Sequence, residues 1–273
     1  MIGSGSVLVV TVALYLGGAV LFGANLLLRH PSLRRVGRVV TILAALTHMA
    51  AIGLRCAELQ RAPFVTPAES LSLLAWITVL AYMAADLRGR LTAIGPFALG
   101  LAFLLVVLAA LLPSATTLPG ENASLLASNV ISLHILATVG AIGVFALAFC
   151  CAALYLTAHH ILKTKHGLVR MKPLPPLTVV ESSAFTLIAV GFPLLTLGIL
   201  AGLLRAWREG LPASWIWDPK ALLSYAVWAV YAAYLIGRNL LNQPPIRTSY
   251  VLIVGLLLSL LLFLAPTTFH RFH

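Results

Sequence analysis

The residues Val130–Ala158 read VISLHILATVGAIGVFALAFCCAALYLTA and contain no Asp, Glu, Lys or Arg. A helix needs about 20 such residues to cross the hydrocarbon core of a bilayer, so this stretch is long enough to span a membrane. The rest of the chain has the same character, because 61% of its 273 residues are hydrophobic and only 9% are charged. A typical soluble domain is about 25% charged. The composition therefore excludes an ordinary soluble enzyme and predicts that most of the chain faces lipid.

Apolar windows that lack charge divide the whole chain into predicted spans. These predicted helices lie near residues 6–28, 38–56, 68–86, 92–112, 130–158, 181–204, 219–237 and 248–265. The connections between them are short, and the sequence shows no internal repeat and no low-complexity linker. The sequence therefore predicts an all-α, polytopic transmembrane helical bundle of about eight spans, which forms a single integral membrane domain over residues 1–273.

The basic residues fall unequally on alternate connections of this bundle. Twelve lie on one side, namely Arg29, Arg34, Arg35, Arg38, Arg88, Arg90, Lys163, Lys165, Arg170, Lys172, Arg238 and Arg247. Six lie on the other side, namely Arg55, Arg61, Arg205, Arg208, Lys220 and Arg271. Because cytoplasmic loops are enriched in Lys and Arg, we expect both termini to lie outside a bacterial inner membrane. We therefore interpret the net charge of +11 as a sign that the basic residues contact anionic membrane lipid and do not bind nucleic acid.

With this orientation, the unusual residues gather at the outer face. His134 lies in the first turns of the fifth helix, and His270 follows the eighth. The loop between the sixth and seventh helices carries the remaining candidates, Arg208, Trp215, Trp217, Asp218 and Lys220. Imidazoles can ligate haem iron, indoles can pack against a porphyrin, and cations can pair with propionates. This combination suits a non-covalent, b-type haem with His134 and His270 as axial ligands.

The aromatic loop also has a structural interpretation. Trp215 and Trp217 could belong only to the aromatic belt that membrane proteins place at the interface. Asp218 followed by Pro219 is typical of a helix start, with Asp at the N-cap and Pro at the first helical position. That capping role does not exclude a ligand-binding role for the loop.

The histidines have structural alternatives as well. His134 could be a hydrogen-bonded polar residue near a helix end, and His270 could be a solvated residue of a short tail. His48 lies near mid-membrane in the second helix, where an ionisable group is a functional hypothesis by default. It is a weaker candidate metal ligand, because a neutral imidazole can equally bond a neighbouring helix.

No catalytic residue is predicted. The chain contains no Walker loop, no GxSxG and no HExxH, and its three cysteines form no CxxC pair. The adjacent Cys150 and Cys151 lie in an apolar stretch, where small hydrophobic roles are expected. Thr66, Pro67 and Glu69 predict a capping box at the start of the third helix.

Two stretches carry a family resemblance. The first is Glu181-Ser-Ser-Ala-Phe-Thr-Leu-Ile-Ala-Val-Gly-Phe-Pro-Leu-Leu-Thr-Leu-Gly198, and the second is Trp215-Ile-Trp217-Asp218-Pro219-Lys220. Pro63-Phe64, Glu69-Ser70-Leu71 and Ala75-Trp76 add a third, shorter set. Together these motifs resemble the CcsA/ResC/CcmC cytochrome c assembly family, and its HemX- and YpjD-like branch in particular.

The resemblance implies haem handling for cytochrome c maturation. In that family a tryptophan-rich outer loop, the WWD domain, presents haem, and two flanking histidines ligate its iron. By position these histidines match His134 and His270, while Trp215, Trp217 and Asp218 match the retained half of the WWD box. Apocytochrome c or other cytochrome c assembly membrane proteins are the partners that this resemblance implies.

The chain also departs from the family pattern. Leu211-Pro212 replaces the upstream Trp-Gly of the box, and Ala221 and Leu223 replace a Glu and a Trp just beyond it. Ile236 stands where the family has a histidine associated with a haem inside the membrane. The incomplete WWD box keeps a second hypothesis open, a cofactor-free membrane scaffold or regulator of haem biosynthesis. Pro193 within the sixth helix and His48 are the features that suit a third, a small-molecule transporter.

The predicted topology can be tested with alkaline phosphatase fusions. We expect phosphatase activity from fusions after residue 128 and at the carboxyl terminus, because both points are predicted to lie outside. A fusion after residue 166, in a predicted cytoplasmic connection, should be inactive. Activity per amount of fusion protein in a bacterial host is the measurement. If one of the first two fusions were active and the other inactive, a site shared by His134 and His270 would be excluded.

Overall fold

Eight long α-helices build the part of the chain that the computed structural model describes, residues 3–28, 30–64, 66–87, 91–112, 129–163 and 175–265. They are α1 (Ser4–Leu28), α2 (Pro31–Leu59), α3 (Pro67–Ala85), α4 (Gly95–Leu111), α5 (Asn129–Lys163), α6 (Leu177–Arg208), α7 (Pro219–Asn239) and α8 (Pro245–Leu264). Short 3-10 turns, Thr92–Ile94 and Ala213–Trp217, precede α4 and α7. All eight helices are long and apolar enough to cross a membrane. This confirms the predicted all-α bundle of about eight spans.

Several helices are longer than the sequence predicted. Helix α2 begins at Pro31 instead of residue 38 and has 29 residues, which corresponds to roughly 43 Å against a hydrocarbon core of about 30 Å. Its first turns therefore reach beyond the core, where long basic side chains extend toward water. Several basic residues that the predicted spans left in connections lie within helices instead: Arg34, Arg35, Lys163, Arg205, Arg208, Arg238 and Arg247.

Helix α5 is the central element of the bundle. It packs against α3, α4, α6 and α8, and it is the most buried of the eight candidate spans. Cys150 and Cys151 are free and buried within it, as expected of small hydrophobic residues. Gly143 lets α3 approach closely, because a Cβ at this position would lie 2.5 Å from a methyl carbon of Ile77.

The contact between α5 and α6 is a seam of glycines on α6. A Cβ at Gly191 would lie 2.5 Å from the Phe145 ring, and one at Gly198 would lie 2.5 Å from Thr138 Oγ1. Helices in lipid associate through close van der Waals packing, so small residues that let backbones approach stabilise their contact. This seam brings the first turns of α5 against the last turns of α6.

The first helix is capped by the second. The backbone N–H of Ser4 donates to Glu58 Oε1 at 2.7 Å, and the Ser4 hydroxyl donates to Glu58 Oε2 at 2.5 Å. A carboxylate is favourable at a helix N-terminus because it accepts from unpaired N–H groups and opposes the helix dipole. The start of α1 and the end of α2 therefore lie at the same face. Which face is the outer one stays a prediction from the charge distribution.

The start of α3 is held by a buried ion pair. Arg61 donates to both carboxylate oxygens of Glu69, at 2.8 and 2.9 Å, and the exposed fractions of their side chains are 12% and 7%. Glu69 also completes the predicted capping box with Thr66, which confirms that interpretation of the motif. The Ser70 hydroxyl adds a bond to the carbonyl of Phe64 at 2.9 Å. The connection from α2 to α3 is thus fixed by side chains.

We expect Arg61→Ala to lower the free energy of unfolding by about 3 kcal/mol, because it leaves the Glu69 carboxylate without its bidentate partner. Denaturant titration in mixed micelles, followed by helical circular dichroism, measures this. Arg55→Ala is the matched control, since the Arg55–Glu58 pair is longer, at 3.5 Å, and more exposed. Equal effects of the two substitutions would show that the buried pair has no special role.

Candidate functional site

His134 lies in the second turn of α5, and its ring is tied to α6. Its Nδ1 atom lies 2.6 Å from the carbonyl oxygen of Gly198, 64 residues further along the chain. A carbonyl oxygen can only accept a hydrogen bond, so Nδ1 carries the proton and donates it. This bond lies at one end of the bundle, where α5 begins, α6 ends and α7 begins. We call it the His134 end.

The second ring nitrogen of His134, Nε2, is left for another partner. Within the described ranges, the only hydrogen bond of the ring is the one from Nδ1. A neutral imidazole with its proton on Nδ1 has a free lone pair on Nε2, which is the form that ligates metals. Histidine ligands commonly donate their other N–H to a backbone carbonyl or a carboxylate. The ring is therefore held in the tautomer that can ligate a metal through Nε2.

The connection between α6 and α7 begins with a defined helix end. Gly210 has φ of 64°, a left-handed conformation that glycine adopts at low cost. The N–H of Leu211 donates to the Ala206 carbonyl at 3.0 Å, and the N–H of Gly210 donates to the Trp207 carbonyl at 3.2 Å. This pair of bonds is a Schellman motif, which stops α6 and turns the chain toward α7.

The same connection ends with a helix cap. The Oδ1 atom of Asp218 accepts a hydrogen bond from the backbone N–H of Lys220 at 2.9 Å, and Pro219 is the first residue of α7. The Asp218 side chain is buried. These contacts confirm the predicted N-cap and show why an Asp-Pro pair stands at this position.

The two candidate tryptophans flank this cap. Trp215 is half-buried, while Trp217 is 73% exposed. Across the described ranges, neither indole has a hydrogen bond or a ring contact with His134. Their positions suit an aromatic belt and a ligand platform equally well, so the porphyrin contact stays a prediction.

Two cations lie near His134. The charges of Arg205 and Lys220 are close enough to act on its ring electrostatically. Arg205 Nε donates to Glu209 at 2.8 Å, whereas the Lys220 ammonium has no salt bridge to any described residue. Arg208, the arginine predicted for the site, is exposed. The positive charges that act on the ring are therefore those of Arg205 and Lys220.

His48, the weaker candidate ligand, has both ring nitrogens engaged. Its Nδ1 lies 2.8 Å from the Tyr15 hydroxyl and its Nε2 lies 2.9 Å from the Ser72 hydroxyl. The residue is fully buried and joins α1, α2 and α3. This geometry favours the structural alternative, in which His48 bonds neighbouring helices.

Two further predicted positions give different outcomes. His270 lies outside the described residues, so its role as second axial ligand stays a prediction. Ile236, which replaces the histidine of the family pattern, is 49% exposed on α7. Nearby, Arg238 pairs with Glu181 of α6 and donates to the Gln243 carbonyl at 2.9 Å, so the charged groups there join α6, α7 and the following turn.

The acidic side chains of the described ranges all have structural partners. These pairs are Glu58 with Ser4, Glu69 with Arg61, Asp86 with Arg38, Glu181 with Arg238 and Glu209 with Arg205, and Asp218 caps α7. The described acidic side chains therefore stabilise helix ends and helix contacts.

The sequence did not identify three residues of the site, Gly198, Gly202 and Arg205. Gly202 lies beside the His134 ring, because a Cβ built there would lie 3.0 Å from its Nδ1. Their spacing of four and then three residues places them on one face of a helix, and Gly198 and Gly202 are the two small residues of a G-x-x-x-G pattern. That spacing, together with the end of α6 next to the start of α5, is the signal that could have identified them.

Comparisons with known proteins agree on one family. The family described as Cytochrome C assembly protein matches residues 64–270, more than half of the chain. The cytochrome c biogenesis protein CcsA of Guillardia theta is 26% identical over 236 residues, which cover 81% of this chain and 78% of the relative. The protein HemX of Brevibacillus brevis is 27% identical over 206 residues, or 76% and 75% of the two chains. A CcsA of Thermosynechococcus vestitus is 47% identical over a shorter stretch of 58 residues, or 21% of this chain and 18% of the relative.

The capping role of Asp218 can be separated from a role of its charge. We expect Asp218→Ala to destabilise the protein by about 1 kcal/mol, because the N–H of Lys220 loses its acceptor. Asp218→Asn should recover most of this loss, since an amide oxygen also caps a helix. Thermal unfolding in detergent is the measurement. If the Asn variant were as unstable as the Ala variant, the carboxylate charge would matter more than the cap.

Proposed function

This chain belongs to the cytochrome c assembly protein family, and we propose that it binds haem at the outer face of the bacterial inner membrane for cytochrome c biogenesis. His134 would ligate the haem iron. The observation that carries it is the hydrogen bond from His134 Nδ1 to the Gly198 carbonyl, which leaves Nε2 as the nitrogen that can coordinate iron.

The charge at the His134 end fits a haem. Haem carries two propionate carboxylates, and these pair well with Arg and Lys. The charge of Lys220 acts on the His134 ring. The Asp218 carboxylate acts on the Lys220 ammonium electrostatically, but the ammonium makes no salt bridge within the described ranges, so it can donate to one propionate. The charge of Arg205 acts on the ring more strongly than that of Lys220, but Arg205 is paired with Glu209. Arg208 is exposed at the end of the same helix and can donate to a second carboxylate.

The aromatic residues supply a second contribution. Trp217 presents an indole to its surroundings, and Trp215 lies half-buried beside the Asp218 cap. Flat indoles pack favourably against a porphyrin, and the family resemblance assigns such a platform to this loop. In this proposal Asp218 acts by fixing the start of α7, which positions Lys220 and the tryptophans relative to one another.

In the proposed arrangement, the haem and the residues of this chain have separate roles. Haem, when bound, supplies the prosthetic group that cytochrome c assembly attaches to an apocytochrome. The residues of this chain hold and orient it: His134 and His270 ligate, Trp215 and Trp217 pack, and Lys220 neutralises charge. Apocytochrome c and other membrane proteins of the same assembly process are the proposed partners.

The similarity to a protein HemX favours a second candidate function, a cofactor-free membrane scaffold or regulator of haem biosynthesis. Leu211-Pro212 is consistent with it, because it removes part of the aromatic box of the family. The transporter alternative predicts broken helices. Helix α6, however, continues from Leu177 to Arg208 through Pro193 without interruption.

Haem binding through His134 is tested by spectroscopy of the purified protein. We expect the detergent-solubilised protein, after titration with hemin, to show a Soret band and a reduced spectrum typical of histidine ligation. His134→Gly should lose most of the bound haem, because the iron loses a ligand, and added imidazole should restore part of it. Haem per protein, determined from the pyridine haemochrome, is the measurement.

His160→Ala is the matched control for this experiment. His160 lies on the same helix α5 but near its other end, where it is exposed, so haem binding should stay at the wild-type level. An unchanged spectrum in His134→Gly would reject the ligand assignment. A different pair of results would favour the cofactor-free scaffold. In that case the purified wild-type protein takes up no hemin, although a strain in which its gene is deleted lacks c-type cytochromes.

A further inference from the structure

We propose that Gly202 is a positioning residue for the His134 ring. Its missing side chain leaves the room in which the ring reaches the Gly198 carbonyl, and that hydrogen bond selects Nε2 as the iron-binding nitrogen and sets its donor strength. This inference rests on the proposed haem site and names the part of the protein that tunes it.

The space beside the ring carries the first step. A Cβ atom built at Gly202 would lie 3.0 Å from both Cε1 and Nδ1 of His134, which is closer than carbon and nitrogen atoms normally approach. The crowded atoms belong to the ring itself. Because Nδ1 is already 2.6 Å from the Gly198 oxygen, the ring can move away from a new methyl group only by changing this bond.

Gly198 and Gly202, one turn apart on α6, have different roles. A Cβ at Gly198 would lie 2.5 Å from Thr138 Oγ1 and 3.1 Å from the Thr138 backbone nitrogen, so alanine there would push α5 away from α6. The three atoms nearest to a Cβ at Gly202 would all belong to the His134 ring. Substitution of Gly202 therefore acts on the ring, while substitution of Gly198 acts on the helix packing.

The donor strength of the ring follows from the hydrogen bond. When Nδ1–H donates to a carbonyl, electron density shifts into the ring and Nε2 becomes a stronger base toward a metal. A stronger donor stabilises ferric iron more than ferrous iron, so the bond lowers the reduction potential of a haem ligated at Nε2. Weakening the bond is expected to raise the potential and to weaken haem binding.

The first experiment needs no haem. Nitrogen NMR of histidine-labelled protein in detergent distinguishes a ring protonated at Nδ1 from one protonated at Nε2, and His134→Gln identifies the signal. We expect wild-type His134 to be protonated at Nδ1, and Gly202→Ala to shift the ring toward the Nε2-protonated form. Gly140→Ala is the matched control, since it lies on α5 and a Cβ there meets nothing within 4 Å.

The second experiment uses the hemin-loaded protein. Gly202→Ala should raise the Kd for hemin by about 10- to 100-fold, the usual cost of losing a hydrogen bond to a ligating histidine. The reduction potential of the haem bound to Gly202→Ala should be higher than that of the haem bound to the wild type. Gly140→Ala should match the wild type in both Kd and reduction potential.

The outcomes separate the two proposals. Unchanged haem binding in His134→Gly rejects the haem site itself. Loss of haem in His134→Gly, with a Gly202→Ala variant that matches the wild type in tautomer, Kd and potential, rejects only the positioning role. If Gly202→Ala cannot be recovered folded, the wild-type ring decides, because protonation at Nε2 would overturn the inference.

Discussion

The bundle depends on one constraint, that the hydrocarbon core of a bilayer offers no hydrogen-bond partner to a polar group. Helices satisfy the backbone, and the few polar side chains must find partners within the protein. Each described carboxylate meets this demand with an arginine, a helix N-terminus or both, as Glu69 does with Arg61 and the start of α3. Such pairs mark where the helices end and how the chain turns back into the membrane.

The same constraint distinguishes two histidines that look alike in the sequence. Both ring nitrogens of His48 hydrogen-bond to hydroxyl groups of neighbouring helices, so the ring links these helices. In His134, Nδ1 donates to the Gly198 carbonyl, and Nε2 has no partner within the described ranges. Counting the partners of each nitrogen therefore separates a packing histidine from a candidate ligand, which neither hydropathy nor position along a helix can do.

Much of the fold could be predicted from the sequence because the signals were local. Charge-free windows gave eight spans, and the caps at Thr66 and Asp218 depend on residues within three positions of each other. Helix ends were placed less well, because basic residues were assigned to loops although helices continue past the hydrocarbon core. The bond from His134 to Gly198 depends on how α5 and α6 are rotated against each other, which no local pattern records. Arg205 could have been chosen over Arg208, since it lies only about 20° from Gly198 around the helix and Arg208 about 80°.

The Schellman motif at Gly210 and the Asp218 cap have a consequence for binding at the connection they enclose. Both ends of this segment are closed by hydrogen bonds, and a 3-10 turn over Ala213–Trp217 fills most of the space between them. A partner that contacts Trp217 therefore meets a chain whose conformational entropy was lost during folding. Preorganisation of this kind lets even a small contact area contribute net affinity, because little ordering has to be compensated on association.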